Sequence, residues 1–196
     1  MNWVLKLGGS LYAYPMLAQL LTHLRDLSLA SDSFTIVPGG GPFADQVRAA
    51  YQQWRLDDTT AHRMAILGMR LYGRLLAGLS KLPVRYTDDP DDAQCAIWLP
   101  SDTPIPACLA DIPAELLDWD FTSDSISLCL AKNIGAQYLV LLKAISVEQA
   151  HSFDKLVDRC FIGLMRDTSV QVICLSADQC LQLNSLAELM RYRIAS

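Results

Sequence analysis

The sequence lacks the cysteine and histidine patterns that indicate a side-chain metal site. None of its six cysteines forms a CxxC pair, and its three histidines share no ligand spacing with them or with one another. Cys129 and Cys174 lie within apolar segments, and buried thiols without disulfides are the ordinary reading of such residues. We therefore assign no metal site to side chains alone.

Charge and hydropathy exclude further classes of function. The net charge is −5 and no run of basic residues occurs, which argues against nucleic acid or an acidic membrane surface as the main partner. No apolar run approaches the length that spans a bilayer. The opening residues, MNWVLK, have neither the basic flank nor the long apolar stretch of a signal peptide. The sequence therefore predicts a cytoplasmic protein.

The chain does contain short apolar runs, and these alternate with longer segments whose apolar residues follow the period of a helix. Hydrophobic residues make up 52% of the 196, enough for a single domain over residues 1–196. Apolar runs such as residues 3–7 and 138–142 predict strands buried on both faces. The alternation predicts a three-layer αβα sandwich around a mostly parallel sheet. Towards the C-terminus we expect a helix over residues 154–166, then a short helix and an edge strand.

A long third helix is expected after the capping residues 57–59. It carries apolar residues on more than one side, which predicts burial all round, partly against a second subunit. A homodimer or higher homo-oligomer is therefore expected. His62, near the start of this helix, is interpreted as a capping or core-edge histidine rather than a catalytic one.

Two segments, VLKLGGSL at residues 4–11 and IVPGGGPFAD at residues 36–45, end an apolar run in glycines before a predicted helix. Without Cβ atoms, their backbone N–H groups can approach an anion closely, and a helix N-terminus adds positive charge. Neither matches GxGxxG or GxxxxGK[ST], and ordinary turns also need glycine, so each loop alone fits a structural role equally well. Two such loops at one edge of a parallel sheet would hold two anions, one of ATP and one of an acceptor.

Charged residues beside these loops favour phosphoryl transfer. Lys6 lies inside the first apolar run, where a lysine is costly unless it is paired or functional. The segment DFTSDS places Asp124 in the first turn of a predicted helix, where simple capping also explains it. A carboxylate between two phosphate sites is suited to hold Lys6 and to bind magnesium, directly or through water.

At these three places the sequence resembles the amino acid kinase superfamily. VLKLGGSL is similar to the first phosphate loop of that superfamily, IVPGGGPFAD to its acceptor-side loop, and TSDSISLCLAKNIGAQYLVLL to its central aspartate helix and following strand. AHRMAILGM and LVDRCF are most similar to the small aspartokinase-like kinases of methanofuran biosynthesis. This resemblance implies transfer of the ATP γ-phosphate to the phosphate monoester [5-(aminomethyl)furan-3-yl]methyl phosphate, with Mg²⁺ as the second cofactor.

The resemblance also implies roles for individual residues. Lys6 and Asp124 would be catalytic. The phosphates of ATP would be bound by Gly8, Gly9, Ser10, Thr122 and Ser123. The acceptor would be bound by Gly39, Gly40 and Gly41, with two further candidates on the next helix, Asp45 and Arg48. For these two, an ordinary effect on the helix dipole and a solvated arginine are equally good explanations.

The chain departs from the larger kinases of the superfamily after Leu142. Those kinases usually read TDVDGVY and carry a second lysine further on, whereas here the text is the shorter KAISVEQAHSFDKLVDRCF. Lys143 is the candidate catalytic replacement for that lysine, although a solvated lysine at a strand end is equally ordinary.

Two alternative functions stay open. One is a kinase of the same superfamily with an amino-acid, carbamate or nucleotide acceptor. The other is a non-catalytic nucleotide- or anion-binding protein for storage or regulation. Lys6 together with Asp124 argues against the second alternative, because storage needs neither group at a transfer point.

Overall fold

The computed structural model describes residues 2–28, 33–86, 95–102, 106–113 and 120–194. Within these ranges six strands form one sheet in the order β3-β4-β2-β1-β5-β6, and every neighbouring pair is parallel. The strands are β1 (Asn2–Leu7), β2 (Ser33–Pro38), β3 (Val84–Arg85), β4 (Cys95–Trp98), β5 (Tyr138–Lys143) and β6 (Gln171–Ser176). The connection after β1 leads to β2 on one side, whereas the connection after its neighbour β5 leads to β6 on the other side. This is the topological switch point at which parallel sheets bind ligands.

The helices in the described ranges are α1 (Leu17–Ser28), α2 (Gly41–Trp54), α3 (Asp58–Ser80), α4 (Ser123–Asn133), α5 (Val147–Ala150), α6 (Phe161–Arg166) and α7 (Ala177–Leu181). Short 3₁₀ segments cover Gly9–Ala13, Ala107–Leu109 and Leu186–Tyr192. The expected cap of the third helix is confirmed, since the Asp57 side chain accepts a hydrogen bond from the Thr60 amide at 2.8 Å.

Two hydrophobic clusters lie on opposite faces of the sheet and confirm the three-layer architecture. Because strand side chains alternate between faces, neighbours such as Leu5 and Val4 belong to different clusters. The first cluster joins Leu5 to α1, α3 and α7. The second joins Val4 and Leu141 mainly to α4 and to Phe161 of α6.

The register of β1 and β5 places two lysines on one face. Lys6 is paired with Leu141, and Lys143 lies two residues beyond Leu141 on the same strand. The two-residue period of a strand therefore directs Lys6, Leu141 and Lys143 to the α4 side of the sheet.

The C-terminal third differs from the prediction in two places. The helix expected over residues 154–166 begins only at Phe161, because the Asp158 carboxylate accepts the Phe161 amide at 3.1 Å and starts the helix there. The expected edge strand is reduced to a single antiparallel bridge between Ile173 and Arg193, and the helix before it is a 3₁₀ helix.

Within one chain the 23-residue α3 is buried on one side, and burial of its other side against a second subunit stays a prediction. Tyr72 and Leu76 are fully buried, whereas Leu67, Leu71 and Leu79 are 39%, 55% and 46% exposed.

In the ranges that the structure describes, no helix is both long and apolar enough to cross a membrane. All six cysteines lie in those ranges, and none of them forms a disulfide.

Candidate active site

The two glycine loops touch one another at the carboxyl edge of the sheet, as predicted. The amide of Gly39 donates to the Leu7 carbonyl at 2.7 Å, which ties the second loop to the end of β1. A Cβ on Gly9 would lie 2.5 Å from the Gly41 nitrogen, and a Cβ on Gly39 would lie 2.5 Å from the Gly9 nitrogen. Side chains at these two positions would collide with backbone atoms, so glycine is what permits the approach of the loops.

Beside the loops, one buried carboxylate holds two buried ammonium groups. Asp124 Oδ1 lies 2.7 Å from Lys6 Nζ and 2.7 Å from Lys143 Nζ, and Lys143 also donates to Oδ2 at 2.9 Å. The three residues are 3–7% exposed. The structure thus brings together the three residues predicted to be catalytic. The alternative of a solvated Lys143 does not fit its burial.

Burial and charge act in opposite directions on this triad. Burial raises the pKa of Asp124, but the two lysines outweigh it and the net pKa lies below its ordinary value. Burial, followed by the nearby charge of Lys6, lowers the pKa of Lys143 to about 8, although Asp124 opposes the change. Two lysines against one aspartate leave a net positive charge, which suits a site for phosphate oxygens.

The first turn of α4 is capped from a distant part of the chain. Thr122 is the N-cap residue, yet its side chain makes no capping bond to its own helix. Its amide and hydroxyl instead donate to Asp158 Oδ2, at 3.1 and 2.9 Å. Both Thr122 donors are thus engaged by Asp158, and the predicted contacts of Thr122 and Ser123 with ATP phosphate stay predictions.

A cleft of about 380 Å³ opens beside the two loops. Its floor is formed by Gly9 and Ser10 of the first loop and Gly40 and Gly41 of the second. Its walls come from α2, α3 and the start of α4, namely Ala44, Asp45, Arg48, His62, Ala65, Ile66, Met69, Phe121, Thr122, Ser123 and Ile126. The cleft therefore brings together residues predicted to bind the ATP phosphates and residues predicted to bind the acceptor.

Two of the predicted glycines contribute no amide to this cleft. Gly8 donates its N–H to the Leu142 carbonyl at 2.9 Å, and Gly39 donates to Leu7. These bonds extend the strand pairing by one residue, and the amides of Gly8 and Gly39 are engaged within the sheet. Asp45 and Arg48 form an exposed ion pair of 2.7 Å at the mouth of the cleft.

Comparison with known proteins agrees with this geometry. The model of the amino acid kinase family matches residues 1–147, three quarters of the chain. The chain belongs to the amino acid kinase family. It is also 28% identical, over 145 residues, to [5-(aminomethyl)furan-3-yl]methyl phosphate kinase of Methanocaldococcus jannaschii. That alignment covers 70% of this chain but only 63% of the relative, less than two thirds of its length.

Solved structures of two other kinases share the fold. Uridylate kinase from Archaeoglobus fulgidus superposes with a TM-score of 0.68 at 14% identity, covering 93% of this chain and 94% of that one. Carbamate kinase from Giardia lamblia, bound to AMP-PNP, gives a TM-score of 0.56 at 11% identity, covering 92% and 93%. The expected αβα architecture is therefore the amino acid kinase fold.

Two residues near this site were not assigned to it from the sequence. His62 is buried in the cleft wall, although its position in an apolar helix indicated only a core-edge residue. Asp158 caps the helix that carries Asp124 although it lies more than thirty residues away. An Asp three residues before an apolar helix start, as in DRCF, is a capping signal, but it does not reveal a contact with a second helix.

Proposed function

We propose that this chain transfers the γ-phosphate of ATP to the phosphate of [5-(aminomethyl)furan-3-yl]methyl phosphate, a step of methanofuran biosynthesis. The observation that supports this most is the placement of Lys6 and Lys143 on one buried carboxylate, beside two glycine loops in contact. Family membership supports the phosphotransferase class, and the Methanocaldococcus jannaschii relative supports the acceptor. The AMP-PNP bound to a carbamate kinase of this fold supports ATP as the donor.

In the proposed reaction an oxygen of the acceptor phosphate attacks the γ-phosphorus in line. The bond from this phosphorus to the β,γ-bridging oxygen breaks, ADP leaves and a diphosphate forms. Lys6 and Lys143 stabilise the charge that spreads over the transferring group, and Asp124 holds both lysines before the reaction begins. A phosphate monoester is already ionised at neutral pH, so no general base is required.

The cleft has the chemistry that such a substrate needs. Gly40 and Gly41 present backbone amides at the start of the 14-residue α2, which favours a phosphate. Ile66, Met69 and Phe121 offer an apolar wall for a flat ring. Asp45, at the mouth, is placed to bind an ammonium group in exchange for Arg48.

The described residues do not fit a resident Mg²⁺ ion. Asp124, the expected ligand, has Oδ1 shared by two ammonium groups and Oδ2 bonded to Lys143, so direct coordination would compete with two cations. Across the described ranges, no group of three or more His, Cys, Asp or Glu side chains is arranged to hold a metal. We propose that Mg²⁺ enters with the phosphates of ATP, and contact with Asp124 through water stays a prediction.

Release of ADP from a panel of acceptors tests the proposal. The panel contains the furan phosphate, isopentenyl phosphate, UMP, glutamate, aspartate and carbamate, and Lys6→Ala measures contaminating kinases. We expect the furan phosphate to give the highest kcat/KM, and Lys6→Ala to be slower by about a hundredfold or more. Activity confined to glutamate or aspartate would overturn the acceptor assignment. ATP binding without turnover on any acceptor would favour the non-catalytic alternative.

We also propose that the chain forms a homodimer or a higher homo-oligomer. The exposed leucines of α3, Leu67, Leu71 and Leu79, support this because they give one chain an apolar face. Light scattering on the purified protein measures the state directly, and a monomer at micromolar concentration would contradict it.

A further inference from the structure

The Asp158 carboxylate accepts hydrogen bonds from the first turn of α4 and from the start of α6. Oδ2 accepts the Thr122 amide at 3.1 Å, the Thr122 hydroxyl at 2.9 Å and the Ser125 amide at 3.0 Å. Oδ1 accepts the Ser125 hydroxyl and, at 3.1 Å, the amide of Phe161. One side chain thus connects the starts of α4 and α6.

The clamped turn is the one that carries Asp124. Thr122 and Ser125 flank Asp124 on either side, so the bonds to Asp158 fix the backbone from which the Asp124 carboxylate projects. That carboxylate lies within 2.7 Å of both lysines, a distance at which small displacements of the helix start would change the contact. The negative charge of Asp158 at the helix N-terminus further stabilises this turn.

We propose that Asp158 is a positioning residue that holds the start of α4, and through it Asp124, against Lys6 and Lys143. The catalytic consequence rests on the proposed phosphoryl transfer, but the positioning itself does not. Asp158 touches none of the three residues of the triad in the contacts above, so its effect passes through the backbone of residues 122–125.

The pKa of Lys143 depends on the position of Asp124 and can be measured without an activity assay. The charged and titratable groups that act on Lys143 are Lys6 from β1, Asp124 from α4 and Cys174 from β6. Burial and Lys6 lower the pKa of Lys143, whereas the charge and hydrogen bonds of Asp124 raise it. If Asp124 moves away, the opposing contribution weakens, and the pKa of Lys143 must fall further.

The test is Asp158→Asn, which keeps the size of the side chain but replaces one accepting oxygen by a donor. The matched control is Asp120→Asn, because Asp120 forms an exposed 3.1 Å pair with Arg159, the residue after Asp158 in the chain. The lysine side chains are titrated by NMR with ¹³C label, with Lys143→Met assigning the signal. Steady-state kinetics of ADP release follow on the same variants.

We expect the Lys143 titration to move to lower pH in Asp158→Asn and to stay in place in Asp120→Asn. We expect kcat to fall by about 10–100-fold, the usual scale for residues that orient a catalytic group, with KM changed by less than about threefold. An unmoved titration in folded Asp158→Asn, or an equal shift in Asp120→Asn, would overturn the proposal. A shifted titration in a chain without kinase activity would uphold the positioning and refute the proposed function instead.

A second variant covers failure of Asp158→Asn to fold. Ser125→Ala removes only the hydroxyl donor to Oδ1 and leaves the Ser125 amide bond to Oδ2. We expect a smaller shift of the Lys143 titration in the same direction. No shift in this variant, with Asp158→Asn unfolded, would count against the proposal.

Discussion

Replacing Asp124 and replacing Lys143 should have unequal effects on stability, although both should slow the proposed reaction. Asp124→Asn removes the one carboxylate and leaves two ammonium groups buried side by side. Lys143→Met removes one ammonium group, keeps most of the side-chain length and leaves the 2.7 Å pair of Lys6 and Asp124 in place. The net charge of the buried cluster therefore rises from +1 to +2 in Asp124→Asn and falls to zero in Lys143→Met.

The magnitudes follow from the burial of the triad. Removing one partner from a buried ion pair costs about 3–5 kcal/mol, because a charge is left without compensation. For a chain of this length, about 2–4 °C per kcal/mol converts this to a fall of roughly 6–20 °C in the Tm of Asp124→Asn. Lys143→Met loses its bonds to Asp124 but also relieves its repulsion with Lys6 and its own desolvation. We expect its stability to stay within about 1 kcal/mol of the wild type.

Thermal unfolding at pH 7 and ADP release measure the two effects separately. Each variant should lose about 10²–10³-fold in kcat, the scale for one preorganised electrostatic group. From the sequence alone, replacing Lys143 is expected to lower kcat less than replacing Lys6. The equal distances of the two lysines from Asp124 instead indicate similar losses of kcat. Equal losses of Tm in the two variants would refute the charge argument, and near-wild-type turnover of Lys143→Met would remove that residue from the mechanism.

Two further predictions concern pH and the glycine loops. The free-enzyme pKa of Lys143 is about 8, so kcat/KM should fall as the pH rises above that value and the ammonium is lost. This limb should be absent from the residual activity of Lys143→Met, and in kcat it should move to higher pH because bound phosphates stabilise the ammonium. Gly9→Ala should lose both activity and Tm, since its Cβ would meet the Gly41 nitrogen at 2.5 Å. Gly78→Ala, in open space on α3, should instead gain about 0.5–1 kcal/mol, and a loss of Tm there as large as in Gly9→Ala would contradict the contact argument.

The sheet was predictable because its signal is local. Apolar runs of strand length, separated by helical stripes, leave little choice besides parallel strands with helices on both faces. The segment of residues 154–166 was misjudged because its apolar spacing fits a helix, while the side chain of Asp158 gives the backbone a different set of hydrogen bonds. Helix propensity alone does not show whether the helix or the hydrogen bonds of the Asp158 side chain determine the backbone of this segment.

The charge triad was predictable in membership but not in geometry. Lys6 stood out because a lysine inside an apolar run is costly unless it is paired or functional. Asp124 gained weight only in combination with Lys6, and Lys143 was a candidate only because of its position at the end of a strand. That both lysines share one oxygen of Asp124 depends on the register of β1 and β5, which no single segment encodes. The role of His62 in the cleft wall depends on how α3 rotates against α2, and this too is set by packing.

The register also explains how two lysines reach one carboxylate without a lysine from any segment after β5. Lys6 and Lys143 come from adjacent strands and the same face, so the hydrogen bonds of the sheet fix their separation. The carboxylate that pairs them comes from α4, whose start is fixed by Asp158. Because β5 itself supplies the second ammonium group, that of Lys143, no lysine from a later segment is needed. The positive charge of this cluster is therefore as preorganised as the sheet, which is what the proposed phosphoryl transfer requires.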